Sequence, residues 1–205
     1  MSSPDLSAIE AAARAELDPK FRAREIAIGN GRHIIRASAN AIRAIHRGEL
    51  DTARELMATA HDLVAESTAA LVGHPDVNVG ILNDAAKEYA EARLYMALSQ
   101  GEDLPTAQEL GMRMAPYLNG LGEAVGELRR RLLDQLRAGE LADAEHILET
   151  MDEVVDLLAG IDYPDGMTGG LRRTTDVSRA LVERSRADLT STMVQERLRR
   201  DLEAR

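Results

Sequence analysis

An all-α fold is what this sequence predicts, and three observations carry the prediction. Aromatic residues make up 2 % of the chain, too few for a large β-sandwich or barrel. Ala, Leu, Glu and Arg dominate the composition, and these are strong helix formers. Gly- and Pro-containing turns then cut the chain into helix-length pieces. At 205 residues, with 44 % hydrophobic and 29 % charged residues, the chain is globular material with enough length for one sizeable core.

The pieces follow in order. Ser3-Pro4 has the form of an N-cap with Pro at the first helical position, opening a short helix to about Leu17. Asp18-Pro19 repeats that signal and opens a long helix ending near Gly48. Asp51 caps the next helix, which runs to Gly73, and GHPDVNVG (73–80) is a loop. A third long helix stops at Gly101 after Gln100. Pro105-Thr106 starts a short helical turn, and Pro116 restarts the chain into a long helix ending near Gly139. Glu140 to Gly160 is a further helix. DYPDGMTGG (162–170) is the most punctuated loop, and a last helix of about 30 residues closes the chain. The expected architecture is a single domain over residues 1–205: a short N-terminal helix (1–17) and one antiparallel bundle (18–205), six to seven helices in all.

Several function classes drop out. Without cysteine there is no disulfide, thiolate metal site or thiol nucleophile. No apolar run approaches the roughly 18 residues of a membrane span, and the N-terminus lacks the pattern of a secretory signal. A cytoplasmic protein without a membrane partner is expected. The five His show no HExxH spacing, Gly29-Asn30-Gly31 lacks the strand and Lys of a phosphate loop, and no Ser sits in a nucleophile elbow. A net charge of −10 argues by itself against a nucleic-acid partner. The cations are nevertheless nearly all Arg, the residue with a bidentate fork for phosphate, since Lys20 and Lys87 are the only lysines.

The first long helix places Ile28, Ile35 and Ile42 in line, with Ile45 one step around. Arg32, Arg36, Arg43 and Arg47 fall within an arc of about 60° beside that stripe. Such a row can track the phosphates of a nucleic-acid backbone, or it can be a solvated face paired with neighbouring acids. In KEYAEARLYMAL (87–98), Glu88 and Glu91 leave the helix on one face, with Asp84 a turn before them. They stand on the shoulder of a buried stripe of Leu82, Ala85, Tyr89, Ala92 and Met96. Paired acids of this kind suit a hard divalent cation, although exposed helices carry them too. Glu123 and Glu127 lie largely opposite the Leu stripe of their helix and are expected to face water or another subunit. Glu145, Glu149, Asp152 and Asp156 form a continuous acidic row for which a solvated face is the default.

These segments resemble the translin family, which includes translin and translin-associated factor X. The resemblance rests on AIRAIHRGE (41–49), KEYAEA (87–92), PYLNGLGEAVGELRR (116–130), MDEVVDLL (151–158) and GLRRTTDVSRALVERSRADLT (170–190), and it runs from about Lys20 to Leu189. It implies helical subunits assembled as a hollow octamer around RNA. It also implies a Mg²⁺-dependent (or Mn²⁺-dependent) endoribonuclease site of Glu and Asp. On this resemblance Glu88, Glu91 and Asp156 hold the metal, Glu127 assists from nearby, and Arg172 and Arg173 join the Arg row in binding nucleic acid. The chain lacks the long insertion that precedes the YLxG segment in the eukaryotic catalytic subunit. It is thus similar to the shorter prokaryotic and archaeal members, which implies a homo-octamer acting on single- or double-stranded RNA. A non-catalytic shell for single-stranded DNA or RNA, and a helical protein-interaction scaffold, are the competing readings.

Overall fold

The computed structural model describes residues 5–77 and 80–204, and among these the secondary structure is entirely helical. In chain order the helices are α1 (Ser7–His46), α2 (Leu50–Leu71), α3 (Gly80–Gln100), α4 (Met114–Ala138), α5 (Leu141–Ala159), α6 (Asp165–Thr168) and α7 (Leu171–Glu203). The all-α expectation holds, with six long helices and one short turn of helix inside the 162–170 loop.

Two hairpins share one turn chemistry. α1 passes to α2 through Gly48-Glu49, and α4 passes to α5 through Gly139-Glu140. Both glycines sit at positive φ, +76° and +84°. The amide of Glu49 reaches Ala44 O and that of Glu140 reaches Gln135 O, which satisfies the last helical carbonyls as a Schellman turn does.

Sequence and structure part at several boundaries. Ser3-Pro4 lies outside the described residues. Asp18-Pro19 does not start a helix: Pro19 is inside α1, which runs unbroken from Ser7. One missing N–H removes a single hydrogen bond, and the Ala- and Glu-rich sequence on the N-terminal side keeps the helix going. Asp51 lies in the first turn of α2 rather than at its N-cap, which is Glu49. Pro105-Thr106 makes a turn and no α-helix; there the Thr106 amide donates to Glu109 Oε2 and the Glu109 amide to the Thr106 hydroxyl. The α4 helix begins at Met114, just ahead of Pro116.

Packing runs from α2 to α1, from α1 to α3, from α3 to α4, and from α4 to both α5 and α7. The buried stripe of α1 is Ala27, Gly31, Ile34, Ala37, Ala41 and Ile45, while Ile28 and Ile35 are only half-buried. On α2 the stripe is Ala53, Met57, Ala60 and Val64. Small residues on both sides let these helix axes approach closely. Of the expected line, Ile42 is buried while Ile28 and Ile35 form the shoulder of the true stripe, because alanine carries most of the contact. The α3 helix is central: Ala85, Tyr89, Ala90, Ala92, Leu94 and Tyr95 are all buried.

α4 meets α3 at Gly120. A Cβ there would stand 2.6 Å from Ala90 Cβ, 2.7 Å from Lys87 O and 2.8 Å from Glu91 N. Two of those three neighbours are backbone, so no side chain can move aside to admit it. Gly120→Val is expected to force α3 and α4 apart and cost at least about 1–3 kcal/mol by overpacking. For a chain of this size that lowers Tm by roughly 2–4 °C per kcal/mol. Thermal melts of the variant against the wild type check this, and an unchanged Tm would show that the crossing admits a Cβ.

Candidate metal centre

The tight crossing at Gly120 decides what stands above it. Glu123 lies three residues further along α4, almost one helical turn, and is carried over the Glu88–Glu91 face of α3. Glu88, Glu91 and Glu123 each offer a carboxylate oxygen, and these three oxygens lie within 4.8 Å of one another. All three residues are half-buried. Hard oxygen donors at this spacing suit a divalent cation of the Mg²⁺ or Mn²⁺ kind.

Three carboxylates this close repel each other, and the protein offsets that in two ways. Lys87 Nζ donates to Glu123 Oε1 at 2.6 Å. The Glu91 carboxyl is pushed up to about 8, by burial first and then by the charges of Glu123, Glu88 and Glu127. Glu88 is raised as well, again by burial and then by Glu123. In the metal-free protein near neutral pH, Glu91 therefore keeps its proton.

Glu127, one turn beyond Glu123, reaches a buried network. Its Oε2 is hydrogen-bonded to His46 Nε2, and Nδ1 of the same ring is 3.2 Å from the Tyr95 hydroxyl. The His46 side chain is 7 % exposed, so this contact is shielded from water. Burial, above all, pushes the Tyr95 hydroxyl up to about 12. A second pair of the same kind, His61 with Tyr89 at 3.1 Å, ties α2 to α3. The two inward tyrosines of α3 are thus each fixed by a histidine from the α1–α2 hairpin, which holds the helix that carries Glu88 and Glu91.

Glu91 and Glu123 open onto a cleft of about 1050 Å³ bounded by α3, α4, α6 and α7. Lys87, Arg113 and Arg173 share its wall. An acidic floor with cationic sides is the arrangement needed to admit a phosphate to a metal held on carboxylates.

No protein-family model matches the sequence. The fold is similar to that of AfC3PO, a protein of the translin family whose structure was solved in complex with duplex RNA. The TM-score is 0.82 at 31 % identity, over 90 % of this chain and 96 % of that one. The chain belongs to the translin family. A second AfC3PO structure agrees, with TM-score 0.79 and 31 % identity over 90 % of this chain and 97 % of that one. Apo-NeC3PO shares the fold at TM-score 0.74 and 19 % identity, over 94 % of this chain and 99 % of that one. An uncharacterized protein of Methanocaldococcus jannaschii is 27 % identical over 185 residues, spanning 89 % of this chain and 82 % of its own length.

Within this translin-family bundle the expected site residues separate. Glu88 and Glu91 come together, and Glu127 lies beside them, bonded to His46. Asp156 does not join them. It is exposed on α5, whose buried stripe of Met151, Val154, Val155 and Leu158 faces the other way, and Glu123 takes the third place instead. Glu123 and Glu127 are half-buried, paired with Lys87 on α3 and His46 on α1, and Glu123 also opens onto the cleft. The acidic row of α5 is a solvated face, with Asp152 paired to Arg186 at 2.6 Å.

The arginines divide similarly. Arg32, Arg36, Arg43 and Arg47 are all exposed on α1 and do not line the cleft. Arg43 donates to Asn40, and Arg47 is held by Glu49 at 2.6 Å, whereas Arg32 and Arg36 have no ion pair among the described residues. Arg172 pairs with Asp162 at 3.0 Å, while Arg173 stands in the cleft wall. Sequence reasoning passed over Lys87, Arg113 and His46. Only Lys87 carried a local signal, as a lone lysine beside the paired acids.

The raised Glu91 carboxyl predicts a pH dependence. Unfolded chains lose this proton near the ordinary glutamate value, whereas the folded metal-free protein keeps it until about pH 8. Between those values the unfolded state binds fewer protons, so this group's contribution to stability falls as pH rises. Melts in EDTA should show wild type and Glu91→Gln alike near pH 5, with the variant increasingly the more stable toward pH 8. A constant difference across that range would mean that Glu91 ionises like an exposed glutamate.

Proposed function

We propose that this translin-family protein binds RNA and cleaves it as a Mg²⁺- or Mn²⁺-dependent endoribonuclease. The three-carboxylate cluster, two of whose acids line a cleft that Lys87, Arg113 and Arg173 also line, carries the reading. It gains support from the similarity to AfC3PO, which was solved with duplex RNA bound. Glu88, Glu91 and Glu123 would hold the cation. When bound, it supplies Lewis-acid stabilisation of the charge that develops on the phosphodiester and a water of lowered pKa. The chain's own groups do the rest. Arg113 and Arg173 receive the flanking phosphates, and Glu127, fixed by His46, keeps a negative potential beside Glu91 that draws the cation in. The exposed row of Arg32, Arg36, Arg43 and Arg47 is a second path for the nucleic-acid backbone, outside the cleft.

The proposal extends to a homo-oligomer, an octamer. Leu6, Ile9, Leu17 and Phe21 expose an apolar stripe on the N-terminal half of α1, each at 57 % or more. Val194, Leu198 and Leu202 do the same at the end of α7, with 58 % or more exposed. Surfaces of this kind mark association sites. An enclosed RNA compartment would also reconcile a net charge of −10 with a polyanionic ligand.

Three outcomes are expected. Glu88→Gln, Glu91→Gln or Glu123→Gln should each lower Mg²⁺-dependent cleavage of labelled RNA by at least about a hundredfold, with RNA binding retained. Asp156→Asn should leave cleavage close to wild type. A wild-type protein that binds RNA but cuts it no faster than the Gln variants is a binding shell and no enzyme. Multi-angle light scattering at micromolar concentration should give a mass near eight times the 22.4 kDa chain, and a monomer mass would exclude the shell.

A further inference from the structure

Lysine is rare in this protein, with Lys87 and Lys20 its only two. The other lysine, Lys20, sits in a surface pair with Glu16 and Asp76. Lys87 is half-buried, precedes Glu88 directly, lines the cleft and bonds one of the three clustered acids. Nearly every other cation is an arginine. An arginine here would engage Glu123 through a planar two-pronged contact that gives way reluctantly. An ammonium is a compact, strongly hydrated point charge on a flexible four-carbon stem, which can exchange one oxygen for another.

On the reading of Glu88, Glu91 and Glu123 as a cation site, we infer that Lys87 is its resident counter-ion, displaced into the cleft when a divalent ion binds and there presented to a phosphate oxygen of the RNA. The metal-free and metal-bound proteins then use the same carboxylates for different cations. Both cations seek Glu123, and a like charge a few ångströms from the incoming ion is strongly unfavourable in a half-buried setting. The Lys87 side chain is 27 % exposed and borders about 1050 Å³ of open cleft, so it has a route out. Its destination is the space flanked by Arg113 and Arg173. One side chain thereby links metal loading to substrate grip, because the ammonium is free for phosphate only once the ion has taken its place.

The test needs only metal, acylating reagent and the full chain. Isothermal titration with Mn²⁺ should show Lys87→Met binding the ion about tenfold more tightly than wild type, because a competing cation has been removed. In unsubstituted protein, competitive acetylation read by mass spectrometry should show Lys87 becoming several times more reactive on addition of Mg²⁺. Lys20 is the internal reference and should not change. Equal or weaker Mn²⁺ binding by a folded Lys87→Met protein, with wild-type binding intact, overturns the inference and leaves the cation site standing. Lys87 reactivity that stays flat while Mg²⁺ binds does the same. Absence of divalent binding to either protein removes both the inference and the site.

Discussion

The crossing of α3 and α4 at Gly120 is the constraint on which the site depends. A side chain at that position would collide with the backbone of α3, so the contact exists only because glycine has no Cβ. Helices packed through alanine and glycine approach more closely than those packed through leucine. That difference brings the carboxylate of Glu123 into the same small volume as Glu88 and Glu91. A similar economy of small residues runs along α1 and α2, whose buried stripes are rich in alanine. A chain with 2 % aromatic residues thus builds its core from close backbone approach, and it uses two of its four tyrosines as anchors. Tyr89 and Tyr95 are fully buried in α3, and histidines of α1 and α2 hold their hydroxyls.

Placing three acids together opposes folding, and the compensation is local. Lys87 offers one positive charge, and retention of a proton on Glu91 removes one negative charge. Both lessen the mutual repulsion of the three carboxylates. The cluster is therefore tolerated within the fold. Burial that would be a defect in a purely structural protein is common at sites where charge must later be neutralised by a ligand. The exposed ion pairs elsewhere, such as Arg137 with Asp134, add little by comparison, because water screens them.

Two faces of α4 have different tasks. Asn119 donates to Ala115 O at 2.9 Å and Thr168 O at 2.7 Å, and it accepts from the Thr174 hydroxyl at 2.6 Å, pinning α6 and α7 against α4. Gly122 lies against Thr174, and Ser178 donates to Gly122 O at 2.9 Å. These contacts set the far wall of the cleft, so that Arg173 faces the acids while its neighbour Arg172 turns outward to Asp162. Two adjacent arginines with equal claims in the sequence thereby acquire different surroundings.

Much of this was legible without a fold. Helix content follows from composition, and the Gly48-Glu49 and Gly139-Glu140 turns follow from glycine's access to positive φ. The shared face of Glu88 and Glu91 follows from helical spacing, because a contact three residues apart is local and needs no knowledge of neighbours. What the sequence could not decide was which acids from other helices would complete the group. The resemblance pointed to Asp156 and spacing left Glu123 to water or another subunit, and only the packing of α4 against α3 brings Glu123 to the pair, since a rotation of the helix would exchange one set of neighbours for another. Pro19 carried the signal of a helix start yet lies within a helix, because one lost hydrogen bond is outweighed by the helix-forming residues before it. Local periodicity determines which side chains share a face. Only the tertiary structure, through a glycine that lets two backbones meet, determines what that face meets.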